Sequence, residues 1–464
     1  MKPRTYHKFL LVSIVLLFVL SGCRTIVTVP EGGRVYSESG NYECTSDTPC
    51  TVEVADTTFN EVFRAEADPG FVFVGWKKEW GHICSKGILR CEMDASVLEG
   101  LDAAEDILST DIEFYLEPVF EAAASMEERL NIVDAFLQRM NEEDRFNGAI
   151  LVGLNGEPLL LKSYGYSDVS RTELLSVNSS FRLASVSKQF TATAIMILEE
   201  RDMLAFSDLL SDHVPEFDYP GVTIEHLLHH TSGIQDLYNA WPYKYIRDQN
   251  AEFMSPEVFY QIAAAHPLES EFDPGSQFRY SNTGYVLLAE IVSRISGQTF
   301  ENFLHDEVFS PLEMNDTDVF NHLSDPNSAR LPNRAKGFSR AFDIDYDISP
   351  WDGAAGDGAV FSSVADFIKW DQALRENTLV SVESQQRAFT SGVLNDGSQT
   401  GYGYGWFVDL GSENSVSHSG GWLAARTWIH RDLAKNLVFV LLENSDNGDL
   451  PDERRYIDQV VFSD

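Results

Sequence analysis

The segment FNGAILVGLNGEPLLLKSYG, residues 146–165, limits the possible folds more than any other stretch. It holds two apolar runs joined by Asn155-Gly156, a pair that favours the left-handed backbone of a two-residue turn and so returns the second run antiparallel to the first. Ahead of it, Leu130, Val133, Phe136, Leu137 and Met140 share one helical face. Behind it, residues 190–330 are patterned mostly as helix, and TWIHRDLAKNLVFVLLEN near the end reads as strand, turn, strand. The order hairpin, helical insertion, returning strands predicts an antiparallel sheet flanked by helices with an inserted helical subdomain, over 125–464.

A chain of 464 residues exceeds what one core usually serves, so a second domain is expected. Residues 31–121 alternate short β-like runs with Gly, Pro, Asp and Ser, as in FRAEADPGFVFVGWKKEW, which predicts a small all-β domain. All the cysteines lie in this N-terminal part: Cys23, Cys44, Cys50, Cys84 and Cys91. In an oxidising compartment the last four read as two disulfides, and the short separations favour Cys44 with Cys50 and Cys84 with Cys91. The spacings are not the tight pairs of a zinc ribbon, and no metal site is expected.

The compartment is indicated by MKPRTYHKFLLVSIVLLFVLSGC, a basic start, an apolar run and small residues, which is an export signal over 1–22. Leu20-Ser21-Gly22-Cys23 resembles the lipobox of bacterial lipoproteins. That resemblance implies cleavage before Cys23, a lipid on Cys23 and attachment to a membrane of the cell envelope, with the outer membrane favoured in a Gram-negative cell because Arg24 follows. With 34 basic and 72 acidic side chains the net charge is −38, which excludes nucleic acid as a partner and repels anionic surfaces.

Three short motifs carry the chemistry. In FRLASVSKQF, Ser185 and Lys188 stand one helical turn apart on one face, so a desolvated lysine can take the proton of the serine hydroxyl and make it a nucleophile. The bland alternative is a serine that caps a helix beside a solvated lysine. In FDPGSQFRYSNTGY, Tyr280 and Asn282 put a phenol and an amide on one side of a loop, the first to relay protons if cations lower its pKa, the second to orient a carbonyl or the lysine. In SVSHSGGWLAARTWIH, His418, Ser419 and Gly420 open a strand with an edge fit to lie beside a substrate, and the N–H groups of Ser185 and Gly421 can hold an oxyanion.

Together with TIEHLLHHTSGI and GYGYGW, these motifs resemble the β-lactamase-related serine hydrolases, which include class C β-lactamases, DD-peptidases, D-aminopeptidases and family VIII esterases, from about Phe146 to Asn444. The resemblance implies a β-lactamase/transpeptidase-like fold, Ser185 as acylated nucleophile, Lys188 as its base, Tyr280 as partner in acylation and deacylation, and Asn282 as substrate orienter. His418 stands where many members have lysine, which lowers efficient β-lactam hydrolysis in rank. No Lys or Arg lies between Arg387 and His418, leaving Arg426 as the nearest candidate carboxylate clamp. His229 and His230 read as structural. Separately, Ala67–Trp76 and Leu116–Phe120 resemble one divergent internalin-type B repeat, a spacer or adhesive module. The expected function is hydrolysis of an amide or ester through an acyl-enzyme, foremost a penicillin-binding-protein-like peptidase acting on D-amino-acid-containing peptides of the cell envelope. No cofactor is required. The alternatives are a carboxylesterase, a weak β-lactamase, or a silent surface-binding module.

Overall fold

The computed structural model describes residues 23–84, 89–99, 108, 112–123, 125–411, 414–446 and 450–462. The expected signal segment 1–22 lies outside the described residues. The chain divides into two compact units, residues 1–129 with 459–464, and residues 130–458.

The first unit is all-β in its strands: β1 Cys23–Val27, β2 Gly33–Ser37, β3 Glu43–Thr45, β4 Cys50–Val54, β5 Asn60–Ala67, β6 Phe71–Trp76, β7 Arg90–Asp94, β8 Glu113–Leu116 and β9 Pro118–Ala122. They form sheets in the orders β4-β1-β8, β3-β2-β5-β7 and β6-β9. Alternation along β1, β2 and β4 turns Val27, Val35 and Val52 inward, where they are buried with Phe63 and Trp76. Cys44 is bonded to Cys50 and Cys84 to Cys91, the pairing expected from their separations. The first bond ties β3 to β4 and so joins two sheets. The residues before 31 are part of this unit: β1 is the central strand of its sheet. Cys23, the first residue of β1, is buried against Val54 and Ala95, and that burial pushes its thiol pKa up.

In the second unit, Asn155 and Gly156 both adopt positive φ, as the hairpin turn requires, and join β10 Gly148–Leu154 to β11 Glu157–Tyr164 in antiparallel register. Between them and the returning strands stand four short strands and one of three residues: β12 Phe181–Arg182, β13 Asp318–Val319, β14 Phe338–Ser339, β15 Ile344–Asp345 and β16 Val360–Ser362. The chain then adds β17 Phe407–Val408, β18 Ser415–Trp422, β19 Ala425–Asp432 and β20 Leu437–Glu443, completing a six-stranded antiparallel sheet in the order β11-β10-β20-β19-β18-β17. Strand β10 is an interior strand covered on both faces: Ile150 and Val152 on one side and Ala149 and Leu151 on the other are all fully buried. Helix α1 Met126–Glu142 begins at the division and packs Phe136 on Tyr456 of the C-terminal helix, ring centres 4.6 Å apart.

The helical insertion contains α2 Lys188–Glu200, α3 Ile224–Leu228, α4 Pro256–Ala265 and α5 Asn282–Ser296, and α6 Val364–Glu376 follows it. Helix α2 is buried over eleven of its residues, from Lys188 to Leu198, because its apolar positions cover more than one face. It belongs to the main core together with Leu151, Val440 and Leu442 of the sheet. This is the antiparallel sheet flanked by helices, with a helical insertion, that the sequence order predicts.

Candidate active site

Ser185 lies in a single 3₁₀ turn, Ala184–Ser187, that leads straight into α2. Neither Leu183 nor Ser187, the residues that precede the two helical segments, makes a side-chain cap, and Ser185 caps nothing. Ala184, the residue before it, has φ +48°, a backbone state that L-residues avoid. Close packing holds it there. A Cβ on Gly420 would come within 2.3 Å of the Leu183 carbonyl and 2.2 Å of Thr427 Oγ1, so only glycine lets β18 approach the turn this closely. Thr427 Oγ1 in turn donates to the Leu183 carbonyl at 2.7 Å.

Lys188, on the first turn of α2, is fully buried, which is rare for a lysine and requires partners. Its Nζ donates to Ser185 Oγ at 3.2 Å, to Asn282 Oδ1 at 2.8 Å and to the Asp357 carbonyl at 2.8 Å. Burial lowers its pKa from the usual lysine range to about 8, and the Asp357 and Asp236 carboxylates hold it from falling further. The loop carrying Asp357 is fastened to the helix by Thr191 Oγ1 donating to the Gly356 carbonyl at 2.6 Å and by the Val360 N–H donating to Ser187 Oγ at 3.1 Å.

Asn282 opens α5, and Asp236 caps that helix from another loop: its Oδ2 accepts the Asn282 N–H at 2.6 Å and the Asn282 side-chain amide at 3.0 Å. This bond turns the amide so that its oxygen faces Lys188. Tyr280, two residues earlier, has its ring 4.9 Å from Lys188 Nζ and its buried hydroxyl makes no complete hydrogen bond. Burial drives the Tyr280 pKa well above the phenol range, with nearby Ser185 opposing the shift. The expectation that cations would lower this pKa is therefore corrected: desolvation exceeds any effect of Lys188, and Tyr280 stays a neutral phenol.

Ser185, Tyr280, Asn282 and Gly421 line one cavity of about 350 Å³ with Asp236, Tyr238, Trp351, Asp352, Asp357 and Trp422. Lys188 sits directly behind its wall. His418 and Gly420 do not line it; both are buried in the layer behind, as β18 turns alternate residues inward, and Ser419 points to solvent on the opposite face. His418 Nδ1 donates to the Ser419 carbonyl at 2.6 Å, which leaves Nε2 to accept the Tyr402 hydroxyl at 2.9 Å. Burial, reinforced by Lys188, lowers its pKa to about 3, so the ring is neutral. Arg426 folds back on its own hairpin, donating to the Leu423 and Ala425 carbonyls at 2.8 and 2.9 Å, and is no clamp for a ligand in this cavity.

Two motifs without evident chemistry act as supports. His229 Nδ1 donates to the Tyr402 carbonyl at 2.9 Å, and His230 Nδ1 accepts the Ser281 N–H at 3.1 Å while its ring packs on Tyr280 at 4.3 Å. In GYGYGW, a Cβ on Gly405 would lie 2.7 Å from the Gln189 backbone, so that glycine seats the loop against the start of α2. The sequence reading missed Asp236, Tyr238, Trp351, Asp352, Asp357 and Trp422. Their only signal is proximity in space, since they come from segments 51 to 237 residues away from Ser185 in the chain.

A buried lysine hydrogen-bonded to a serine at the head of a core helix, on a six-stranded antiparallel sheet, defines a serine-hydrolase class of site. The chain belongs to the beta-lactamase family, whose model, described as Beta-lactamase, matches residues 132–462. It is 34% identical over 327 residues to penicillin-binding protein 4* of Bacillus subtilis strain 168, covering 68% of this chain and 71% of that one. Among solved structures it is similar to an octameric penicillin-binding protein homologue from Pyrococcus abyssi, at 28% identity and a TM-score of 0.58 over 68% of this chain and 74% of that one. The D-amino acid amidase of Ochrobactrum anthropi SV3 shares the fold, with a TM-score of 0.59 at 22% identity over 72% of this chain and 98% of the amidase. The protein is thus a serine hydrolase of the beta-lactamase superfamily.

Proposed function

We propose that the protein cleaves an amide or ester bond through an acyl-enzyme on Ser185, foremost in D-amino-acid-containing peptides of the cell envelope. The observation that carries this reading is the buried Lys188 Nζ at 3.2 Å from Ser185 Oγ, with its pKa lowered to about 8. An unprotonated Lys188 takes the Ser185 proton as Oγ attacks the carbonyl carbon. The N–H groups of Ser185 and Gly421 receive the oxyanion. Collapse of the tetrahedral intermediate breaks the bond to the leaving group, which takes a proton from Lys188 by way of the Tyr280 hydroxyl. Water, deprotonated by the same pair, then attacks the acyl carbon and releases Ser185.

Similarity to penicillin-binding protein 4* supports a peptide substrate of the envelope. A carboxylesterase is the second reading. It is favoured by the lack of a free cation among the described residues lining the cavity: Arg182 is spent on Asp352 at 2.8 Å, and His418 in the layer behind is neutral, so none of these grips a terminal carboxylate. The test is labelling with a fluorescent penicillin and with a 4-nitrophenyl ester, followed by a panel of D-amino-acid amides, D-Ala-D-Ala peptides and nitrocefin. Label on Ser185, absent from Ser185→Ala, is expected; equal labelling of both proteins would overturn the mechanism, and the panel ranks the substrates.

We also assign a lipid to Cys23 and envelope attachment to the protein, with the N-terminal β unit as a spacer. The support is the resemblance of residues 20–23 to a lipobox and the similarity to penicillin-binding protein 4*. Since Cys23 is buried in β1, acylation requires this first residue to leave the strand. Among the described residues no helix is long and apolar enough to cross a membrane.

A further inference from the structure

We propose, resting on the hydrolase reading above, that Tyr238, Trp351 and Trp422 form a subsite in the Ser185 cavity for an ammonium group of the substrate, quaternary as well as primary. The three rings line the same cavity as the nucleophile. Tyr238 packs edge-on against Trp351 with ring centres 4.8 Å apart, and against Trp422 at 5.0 Å. Aromatic faces carry negative potential and attract cations without needing a donor hydrogen.

The balance of charge around the rings is negative. Asp236, Asp352 and Asp357 line the cavity, against Arg182 on its wall and Lys188 behind it, which leaves one carboxylate over. Arg182 is held by Asp352 and by the Asp347 carbonyl at 2.9 Å, so its charge does not reach out to a ligand. When Lys188 loses its proton to act as base, the excess grows by one. His418 adds no positive charge, and Arg426 is turned away.

The hydrogen bonds explain why a quaternary cation is included. Both Asp236 oxygens are taken, Oδ1 by the Tyr238 N–H at 3.0 Å and Oδ2 by Asn282. Both Asp352 oxygens are taken, by Arg182 and by the Ser349 N–H at 2.7 Å. Asp357 Oδ2 accepts the Tyr238 hydroxyl at 2.8 Å. Asp236 and Asp352 therefore supply a field rather than a grip, and the rings supply the surface. A primary ammonium gains little over a trimethylammonium in such surroundings, whereas a carboxylate in the same place is repelled.

The experiment compares kcat/KM for acetylthiocholine with that for 3,3-dimethylbutyl thioacetate, which replaces the quaternary nitrogen by carbon at the same shape. Inhibition of 4-nitrophenyl acetate turnover by tetramethylammonium is measured beside it. Wild type is expected to favour the cation about tenfold and to be inhibited by tetramethylammonium but not by tert-butanol. In Trp351→Leu and Trp422→Leu the preference, read as a ratio whatever the absolute rates, is expected to fall below about threefold. A wild type with neither preference nor inhibition overturns the subsite, and a full preference retained by both variants overturns its assignment to these rings. Should the variants not fold, the wild-type inhibition alone decides. Absence of turnover on every ester, with no penicillin label on Ser185, counts against the hydrolase reading instead.

Discussion

In the proposed mechanism Ser185 and Lys188 act as a pair, so their substitutions should not add. Ser185→Ala deletes the attacking oxygen but no cap and no backbone bond. It is expected to lower turnover by several orders of magnitude while costing only about 1 kcal/mol of stability, the usual net value of the one hydrogen bond it removes, that from Lys188 Nζ. Steady-state hydrolysis of an activated ester beside thermal unfolding checks both halves. The pH profile isolates the lysine. With Lys188 at about 8 and His418 at about 3, only the lysine changes protonation in the working range, and its active form is the unprotonated one. The kcat/KM of a neutral ester should therefore rise about tenfold per pH unit below a midpoint near 8 and level off above it. An acid limb centred near 6.5 would assign the base to a histidine instead.

At the level of elements, Ser185 is placed by a strand that glycine allows to come close. Gly420→Ala puts a methyl group into the Leu183 carbonyl and Thr427, forcing β18 away from the turn that holds Ser185. The expected cost is about 1–3 kcal/mol of stability, together with a loss of activity larger than unfolding explains. Gly421→Ala is the internal control for stability, because its Cβ meets nothing within 4 Å. Unfolding by urea on the two variants distinguishes them, and equal stabilities would show that β18 tolerates displacement. The helix start is legible in the sequence as a motif and not as a geometry: Ser-x-x-Lys places two side chains on one face, whereas the strained Ala184 and the absence of a cap depend on β18 and the 356–360 loop packing against the turn.

For the whole molecule, attachment and stapling are the properties to test. Cys23→Ser is expected to move the protein from the membrane to the soluble fraction on cell fractionation, and persistence in the membrane would mean that the apolar run of 9–20 holds it there. The Cys44–Cys50 and Cys84–Cys91 bonds lie in the first unit, while every residue lining the Ser185 cavity lies in the second. Mild reduction should thus destabilise the β unit by roughly 2–3 kcal/mol per bond and leave ester hydrolysis within about twofold. Loss of activity in parallel with reduction would show that the two units depend on each other. The sequence alone determined the hairpin, the order of sheet and helices, the disulfide pairing and the positions of Ser185, Lys188, Tyr280 and Asn282, because each is written in local spacing or in residue chemistry that a few neighbours decide. Tertiary structure alone decided that His418 lies behind the cavity rather than in its wall, that Arg426 faces elsewhere, that Tyr280 stays protonated, and that Asp236, Tyr238, Trp351, Asp357 and Trp422 meet around Ser185. Those outcomes depend on desolvation and on contacts between segments far apart in the chain, and neither quantity has a value until the core has closed.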